Sequence, residues 1–263
     1  MIEVPQSFVV REECEKAAWQ HGFRRQLGVN DGWAAFGSTT AQGKILLAAS
    51  GAQGPWFLAL EHAGVIAELG FAGIDVPGPG HARYAFNNLG QLYATLSRVY
   101  ELAVSLPDAP LRAFETKVAG LPRTTEAERL IIQRIGQDLF RNRLMDYWQG
   151  RCPLTGITDQ ALLRASHIIP WSECESDAER LDVHNGLLLS ALWDAAFDRA
   201  LVTFDEAGRP EFSPALGEAA RVELRWRSTI PLTDAHQHRL ALHRAKARSS
   251  FYLDKESPKS LET

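Results

Sequence analysis

One apolar stretch, Ala161-Leu-Leu-Arg-Ala-Ser-His-Ile-Ile169, sets the interpretation of the second half of this 263-residue chain. Its composition is typical of a β-strand, which we expect to end before Pro170. Gly186-Leu-Leu-Leu189 is a second apolar run, and the segment from Ser190 to Arg199 has the pattern of a short helix. A strand, an apolar run and a helix are therefore expected to follow one another here.

Polar side chains with catalytic potential lie on two of these segments. His167 lies near the end of the predicted strand, and Asp194 and Asp198 are four residues apart in the predicted helix. This spacing puts the two carboxylates on one helical face, with Cβ atoms about 6 Å apart, where they could share a hard divalent cation. His167 could take a proton from water. Phosphodiester hydrolysis needs both a base and a cation. The base makes the nucleophile, and the cation neutralises charge on the phosphate and the leaving oxygen.

Each of these residues also has a purely structural interpretation. His167 could be a hydrogen-bonded strand histidine, and Asp194 and Asp198 could form a solvated helix face. Taken singly, none of the three indicates a function.

The order of several motifs resembles the HNH endonuclease superfamily over the segment from Phe140 to Phe204. The resemblance is carried by Cys152-Pro-Leu-Thr-Gly-Ile157, Ala165-Ser-His-Ile-Ile-Pro-Trp171, Asn185-Gly-Leu-Leu-Leu189 and Asp194-Ala-Ala-Phe-Asp198-Arg199. It implies a ββα-metal finger, in which a hairpin presents a base histidine and the following helix presents metal ligands. The fold class expected is α+β: a small N-terminal α+β domain, a long linking helix, and a C-terminal ββα-metal nuclease domain with a helical tail.

The resemblance also implies a role for each motif residue. His167 matches the general base, and Asn185 matches the middle asparagine, which braces the loop or helps to hold the metal. Asp194 and Asp198 match ligand positions. Ser166 stands where many members carry an Asp or His ligand, and it is the weakest match because a serine hydroxyl is a poor ligand. Water, Asn185 or the scissile phosphate could complete the metal site instead.

Oxygen donors of this kind suit Mg²⁺ or Mn²⁺, one cation per site, better than Zn²⁺. Cys14, Cys152 and Cys174 contain no CxxC pair, so no structural zinc is expected. His236, His238 and His243 do not share one helical face, and we expect no metal among them. Ala200 stands where the resemblance predicts glycine.

Arginine is the basic residue used from Thr124 to Asp205, and no lysine occurs there. Its planar guanidinium suits phosphate oxygens, although GC-rich coding produces the same bias. Arg199 is the candidate for contacting a phosphate, with pairing to the neighbouring aspartates as the alternative. The candidates for contacting the DNA backbone are Arg141, Arg143 and Arg164. For Arg141 and Arg143, a solvated helix face is the alternative.

The formal net charge of −4 excludes a strongly basic chain, so any DNA contact must be local. The opening residues carry acids and an arginine where a signal peptide needs an apolar run, and no later run approaches a membrane span. Together with the unpaired cysteines, this predicts a cytoplasmic protein with no membrane partner.

Short apolar runs in the first half predict three strands of a small sheet; they are Gly32–Gly37, Lys44–Ala49 and Trp56–Leu60. A loop from Gly70 to Gly80 precedes an amphipathic helix that Pro107 closes. Pro110 to Pro122 is interpreted as a linker, and Thr125 as the N-cap of a long helix. The domains expected are 1–120 for target recognition and 121–263 for the nuclease, with its core at 140–205. A helix is also expected from Thr233, with a polar end after Leu253.

The function expected is a metal-dependent, restriction-type DNA endonuclease that acts on double-stranded DNA, with a homodimer possible. A pocket of Trp33, Phe36, Trp56 and Phe57 could hold a flipped or modified base, although such aromatics are more often plain core. The resemblance implies modification-dependent restriction. The alternatives are a non-catalytic DNA-binding protein with a degenerate finger and a weakly specific nuclease effector or toxin.

Overall fold

A computed structural model describes residues 1–253, so the polar end expected after Leu253 lies outside the described residues. The chain divides into two compact units, and the second begins at Pro110. Helices and antiparallel sheets are mixed in it, which confirms the α+β fold class. Among the helices of the described residues, none has both the length and the apolar character that crossing a bilayer requires.

The first unit is a five-stranded antiparallel meander with three helices, and its strands are hydrogen-bonded in chain order. Its elements are α1 (Phe8–Gln20), β1 (Arg25–Asn30), β2 (Trp33–Gly37), β3 (Lys44–Ala49), β4 (Trp56–Leu60), α2 (Ala63–Leu69), β5 (Ala82–Phe86) and α3 (Leu89–Ser105). The three predicted strands correspond to β2, β3 and β4, which form the centre of the sheet. Every residue of β4 is buried, and this explains its continuous apolar run.

The segment interpreted as a linker is a helix over most of its length, so that prediction was wrong. Helix α4 spans Ala109–Val118. Pro110 lies in its first turn, where proline is tolerated because that backbone N–H has no partner within the helix. Phe114 and Val118 are buried, and this burial holds the helix against the protein.

The long helix α5 (Glu126–Tyr147) begins at the predicted N-cap. Thr125 and Glu128 form a capping box: the Thr125 hydroxyl accepts the Glu128 N–H, and the Glu128 carboxylate accepts the Thr125 N–H. Its C-terminal half buries Leu139, Phe140 and Leu144. This half of α5 therefore forms one wall of the core of the second unit.

The remaining elements of the second unit include the expected pair of strands and a helix. They are β6 (Leu163–His167), α6 (Asp177–Leu181), β7 (Gly186–Ser190), α7 (Ala191–Asp198), β8 (Val202–Phe204), β9 (Pro210–Phe212), α8 (Glu218–Glu223) and α9 (Asp234–Leu253). Strands β6 and β7 pair antiparallel, β8 and β9 form a second hairpin, and α7 follows β7 without a loop.

The β6–β7 hairpin packs closely against α5, and Gly186 makes that approach possible. A Cβ atom at Gly186 would lie 2.5 Å from Cζ of Phe140 and 2.8 Å from a methyl carbon of Leu144. No real Cβ is tolerated at such distances, so this position requires glycine. In the Asn185-Gly186 pair, the buried side chain of Asn185 is therefore followed directly by a residue at which β7 approaches α5 closely.

Candidate functional site

The register of the β6–β7 hairpin places the predicted base at the end where the connecting segment joins the two strands. His167 pairs with Gly186, and Ser166 pairs with Leu187. Helix α7 starts directly after β7, with Ser190 as its N-cap, and packs on both strands. Direct contacts therefore hold β6, β7 and α7 together.

A cavity of about 490 Å³ lies where β6 meets α7. Ser166, His167, Asp194 and Asp198 all line it, so the structure brings together the predicted base and the three predicted metal-site residues. Asn185 does not line the cavity.

The His167 imidazole is held in one orientation by three contacts. Its Nε2 lies 2.9 Å from the carbonyl oxygen of Arg180, to which it can only donate. The ring stacks on Phe140 with a centroid distance of 3.8 Å and meets the edge of Trp171 at 5.5 Å. Burial lowers the pKa of His167, and the hydrogen bond to Arg180 only partly opposes this shift. The ring is therefore neutral at pH 7, with Nε2 protonated and Nδ1 as the basic atom.

The side chain of Asn185 is fully buried and braces the segment that follows β6. Its Oδ1 accepts the backbone N–H of Ile169 at 2.9 Å. Its Nδ2 lies 3.2 Å from the Ile169 carbonyl, 3.3 Å from the Glu179 carbonyl and 3.4 Å from Sγ of Cys174. With both ends of the amide engaged, the geometry favours the bracing role over the ligand role.

Ser166 is tied to the first of the two aspartates. Its hydroxyl donates to Oδ1 of Asp194 at 2.5 Å, and the serine is 2% exposed. The hydroxyl proton is used in this bond, so Ser166 orients the Asp194 carboxylate whether or not its oxygen also meets a metal.

The second aspartate, Asp198, is the last residue of α7 and is exposed. Its pKa is raised, first by partial burial of the carboxylate and then by the negative charge of Asp194, while Arg199 opposes the shift. Two carboxylates are thus crowded on one side of the cavity. A bound cation would relieve the repulsion between them.

The donor set fits a hard divalent cation. Asp194 and Asp198 offer carboxylate oxygens, and Mg²⁺ typically binds one or two carboxylates while it keeps several waters or substrate phosphate oxygens. In the part of the chain that the structure describes, no group of three or more His, Cys, Asp or Glu side chains could hold a metal. Water or phosphate would therefore have to fill most coordination positions at this site.

Helix α7 ends in a Schellman motif at the position where glycine was expected. The Ala200 N–H donates to the Phe197 carbonyl, and the Leu201 N–H donates to the Ala196 carbonyl, each at 2.9 Å. Ala200 has φ of 53°, the left-handed conformation that this motif requires. The chain therefore makes the turn with alanine, at a local conformational cost.

Two of the predicted DNA-contacting arginines bind the backbone around the start of β6. Arg141 donates to the carbonyls of Leu163 at 2.9 Å and Gln160 at 2.8 Å. Arg164 donates to Ala161 and Leu163, each at 2.9 Å. Both guanidiniums fix the chain at the start of β6, a role that sequence reasoning did not predict.

The other two arginines make contacts within their own helices. Arg143 pairs with Asp146 at 3.0 Å, and Arg199 donates to the Ala195 carbonyl at 3.2 Å. Arg199 is exposed beside Asp198 and partly opposes the rise in the pKa of that carboxyl. The Arg199 charge therefore remains near Asp198.

Sequence reasoning missed the contribution of the C-terminal helix. Leu242, His243 and Lys246 of α9 line the same cavity, as does Glu173 of the segment after β6. Glu173 follows the motif Ala165–Trp171 by two residues, whereas Lys246 lies far from the motifs along the chain and nothing in its local sequence marks it. The placement of Lys246 depends on how α9 packs on the hairpin β8–β9 and on α7.

The histidines of α9 have protein partners where they are buried. His236 is fully buried, and the Thr233 hydroxyl lies 2.8 Å from its Nδ1. His243 stacks on Phe197 with a centroid distance of 3.9 Å, and its Nε2 donates to the Phe197 carbonyl at 3.2 Å. These contacts anchor α9 to the rest of the unit.

The four aromatic residues proposed for a base pocket are core residues of the first unit. Trp33 and Trp56 are each 2% exposed, Phe36 is 3% exposed and Phe57 is 6% exposed. Trp33 and Phe57 belong to one hydrophobic cluster with Leu46. In this structure the plain-core alternative describes these side chains.

Comparison with known proteins gives a family match for the segment that carries the cavity. A family model described as HNH endonuclease matches residues 152–205, which include β6, β7, α7 and β8. A search of curated proteins finds no match.

Proposed function

Because a family model described as HNH endonuclease matches residues 152–205, we propose that this protein is a metal-dependent DNA endonuclease whose general base is His167. The observation that carries the proposal is the contact between Nε2 of His167 and the Arg180 carbonyl. It fixes the tautomer in which Nδ1 has the lone pair. In a cavity that also contains two carboxylates, such a ring is suited to take a proton from water.

Residues that line the cavity and residues beside it have separate roles in the proposed hydrolysis. Nδ1 of His167 holds and deprotonates the attacking water, and the neutral ring is ready to do so at pH 7. Ser166 keeps the Asp194 carboxylate oriented, and Asn185 keeps the segment after β6 in place. A divalent cation bound by Asp194 and Asp198 would stabilise negative charge on the phosphate and the leaving 3′ oxygen. Arg199 contacts a phosphate beside this site.

The oxygen-only donor set supports Mg²⁺ or Mn²⁺ as the cation. Two carboxylates with water suit these ions, whereas zinc sites favour nitrogen and sulfur ligands. The buried thiols of Cys152 and Cys174 do not line the cavity.

The biological role proposed is restriction of double-stranded DNA, with target recognition by the first unit. A cavity of about 790 Å³ in that unit supports a binding role; Asn30, Asp31, Trp33, Lys44 and Gly78 are among its lining residues. The described residues of a protomer offer one candidate active site, so cutting both strands of a palindrome would favour a twofold dimer.

Cleavage of supercoiled plasmid with Mg²⁺, with Mn²⁺ and with EDTA tests the activity. The expected result is nicked or linear product with either ion and none with EDTA. Cleavage that persists in EDTA would contradict the metal-dependent mechanism, and DNA binding without cleavage would identify a non-catalytic finger. Unmodified, methylated, hydroxymethylated and phosphorothioated DNA then test the restriction role, because equal cutting of all four would favour a weakly specific nuclease.

A further inference from the structure

The catalytic cavity contains more negative than positive charge from the residues that line it. Three lining side chains are carboxylates: Glu173, Asp194 and Asp198. Among its described lining residues, Lys246 is the one lysine or arginine, and so the one with a permanent positive charge. A DNA phosphate that enters this cavity therefore meets Lys246 as the lining cation.

Lys246 lies opposite Glu173. The Lys246 ammonium is 3.2 Å from Oε1 of Glu173, and their side chains are 60% and 57% exposed. Exposed pairs of this kind contribute about 0–1 kcal/mol. A phosphate oxygen can therefore replace the Glu173 carboxylate as a partner of Lys246 at little cost.

The backbone position of Lys246 is well fixed although its side chain is exposed. Ala247 is fully buried, and Arg244 is 6% exposed and donates to the Phe204 carbonyl at 3.1 Å. One turn earlier, His243 stacks on Phe197 of α7. These contacts anchor both sides of the position, so the lysine stem starts from a rigid point at the edge of the cavity.

We propose that Lys246 binds a phosphate of the DNA backbone at the active site and that Glu173 holds it in the free protein. The inference rests on the proposed nuclease function and adds a residue to it. Helix α9 lies outside the segment 152–205 that matches the family. The site is therefore completed by a helix that the matched segment does not contain.

Binding of a fluorescent DNA duplex to the full chain with the His167→Ala substitution tests this inference without cleavage. In that background, Lys246→Ala is expected to weaken binding roughly tenfold, as for loss of one charge-assisted contact. The slope of log affinity against log salt should fall by about 0.9, the value for one phosphate. Lys246→Arg should keep most of the affinity because it keeps the charge.

Arg248→Ala is the matched control on the same helix. Arg248 pairs with Glu211 at 2.9 Å and does not line the cavity. Arg248→Ala should therefore change the affinity for the DNA duplex less than Lys246→Ala does. Equal effects of the two variants, or no effect of Lys246→Ala, would overturn the assignment.

The role of Glu173 has its own matched pair of variants. Glu173→Gln should raise the affinity for DNA, since it removes a competitor for Lys246. Glu175 lies on the same segment, is exposed and does not line the cavity, so Glu175→Gln makes the same charge change elsewhere. An equal gain in both variants would show that general charge, and not release of Lys246, controls binding.

Failure of this inference is distinguishable from failure of the proposed function. Wild-type protein that binds DNA but does not cut it would overturn the nuclease proposal, while the binding comparison would still decide the role of Lys246. Absence of DNA binding by every variant would overturn both.

Discussion

Nε2 of His167 donates to the backbone carbonyl of Arg180 across 2.9 Å, so one ring nitrogen of the candidate base is committed to structure. The other nitrogen keeps its lone pair. The Arg180 carbonyl belongs to α6, and the Arg180 guanidinium donates hydrogen bonds to the Trp171 and Cys174 carbonyls. The segment between β6 and β7 thus folds over the base and sets its tautomer.

Asn185 should be needed for both stability and cleavage. Asn185→Ala would leave the N–H of half-buried Ile169 without its side-chain acceptor, and an orphaned buried group costs about 1–3 kcal/mol. We expect a lower urea midpoint together with slower cleavage. Unchanged stability would show that the bracing contacts contribute little.

The two aspartates should control the affinity for the cation. Asp194→Ala and Asp198→Ala are each expected to weaken Mn²⁺ binding in calorimetry by at least about tenfold, since Mg²⁺-type sites have few protein ligands. Asp138→Ala, on the exposed face of α5, is the control and should have no effect. If both cavity variants bind Mn²⁺ like the wild type, the proposed metal site is wrong.

Ala200→Gly should stabilise the protein. A left-handed conformation costs an L-residue roughly 1–2 kcal/mol, and glycine adopts it freely. A gain of about 1 kcal/mol in the free energy of unfolding is expected from denaturant curves. Ala195→Gly, within α7, should instead destabilise by about 1 kcal/mol. Loss of stability in Ala200→Gly would contradict the assigned helix cap.

Stability should fall in mild acid because of His243. Burial lowers the pKa of His243 to about 4, against an ordinary value of 6.5. Between these values the unfolded chain binds the proton and the folded chain does not, so lowering the pH favours unfolding. His243→Gln should therefore show a smaller loss of urea midpoint than the wild type between about pH 7 and about pH 5. Identical losses would mean that His243 does not titrate as assigned.

Local signals in the sequence were enough for the centre of the fold. The helix N-cap at Thr125 and the apolar run of β4 can each be identified from a few consecutive residues, and the structure confirms both. The signal of strand β1 is weaker, because its apolar alternation is limited to Leu27 and Val29 and all six of its residues are exposed. Helix α4 was missed because its prolines and charges suggested a linker.

The candidate site was predictable where motif order carried the information. Ser166, His167, Asp194 and Asp198 were grouped from the sequence, and they line one cavity. Contacts between distant elements were not predictable. The Arg141 guanidinium binds the Leu163 carbonyl 22 residues away, and Lys246 reaches the cavity through the packing of α9.

The most direct test of the central claim is the rate of plasmid cleavage by His167→Ala with Mg²⁺ or Mn²⁺. Removing a general base typically costs about 10²–10⁴ in rate, and we predict a loss in this range while DNA binding is kept. His238→Ala, at an exposed histidine of α9, should cleave like the wild type. Cleavage by His167→Ala at the wild-type rate would contradict the assignment of His167 as the base.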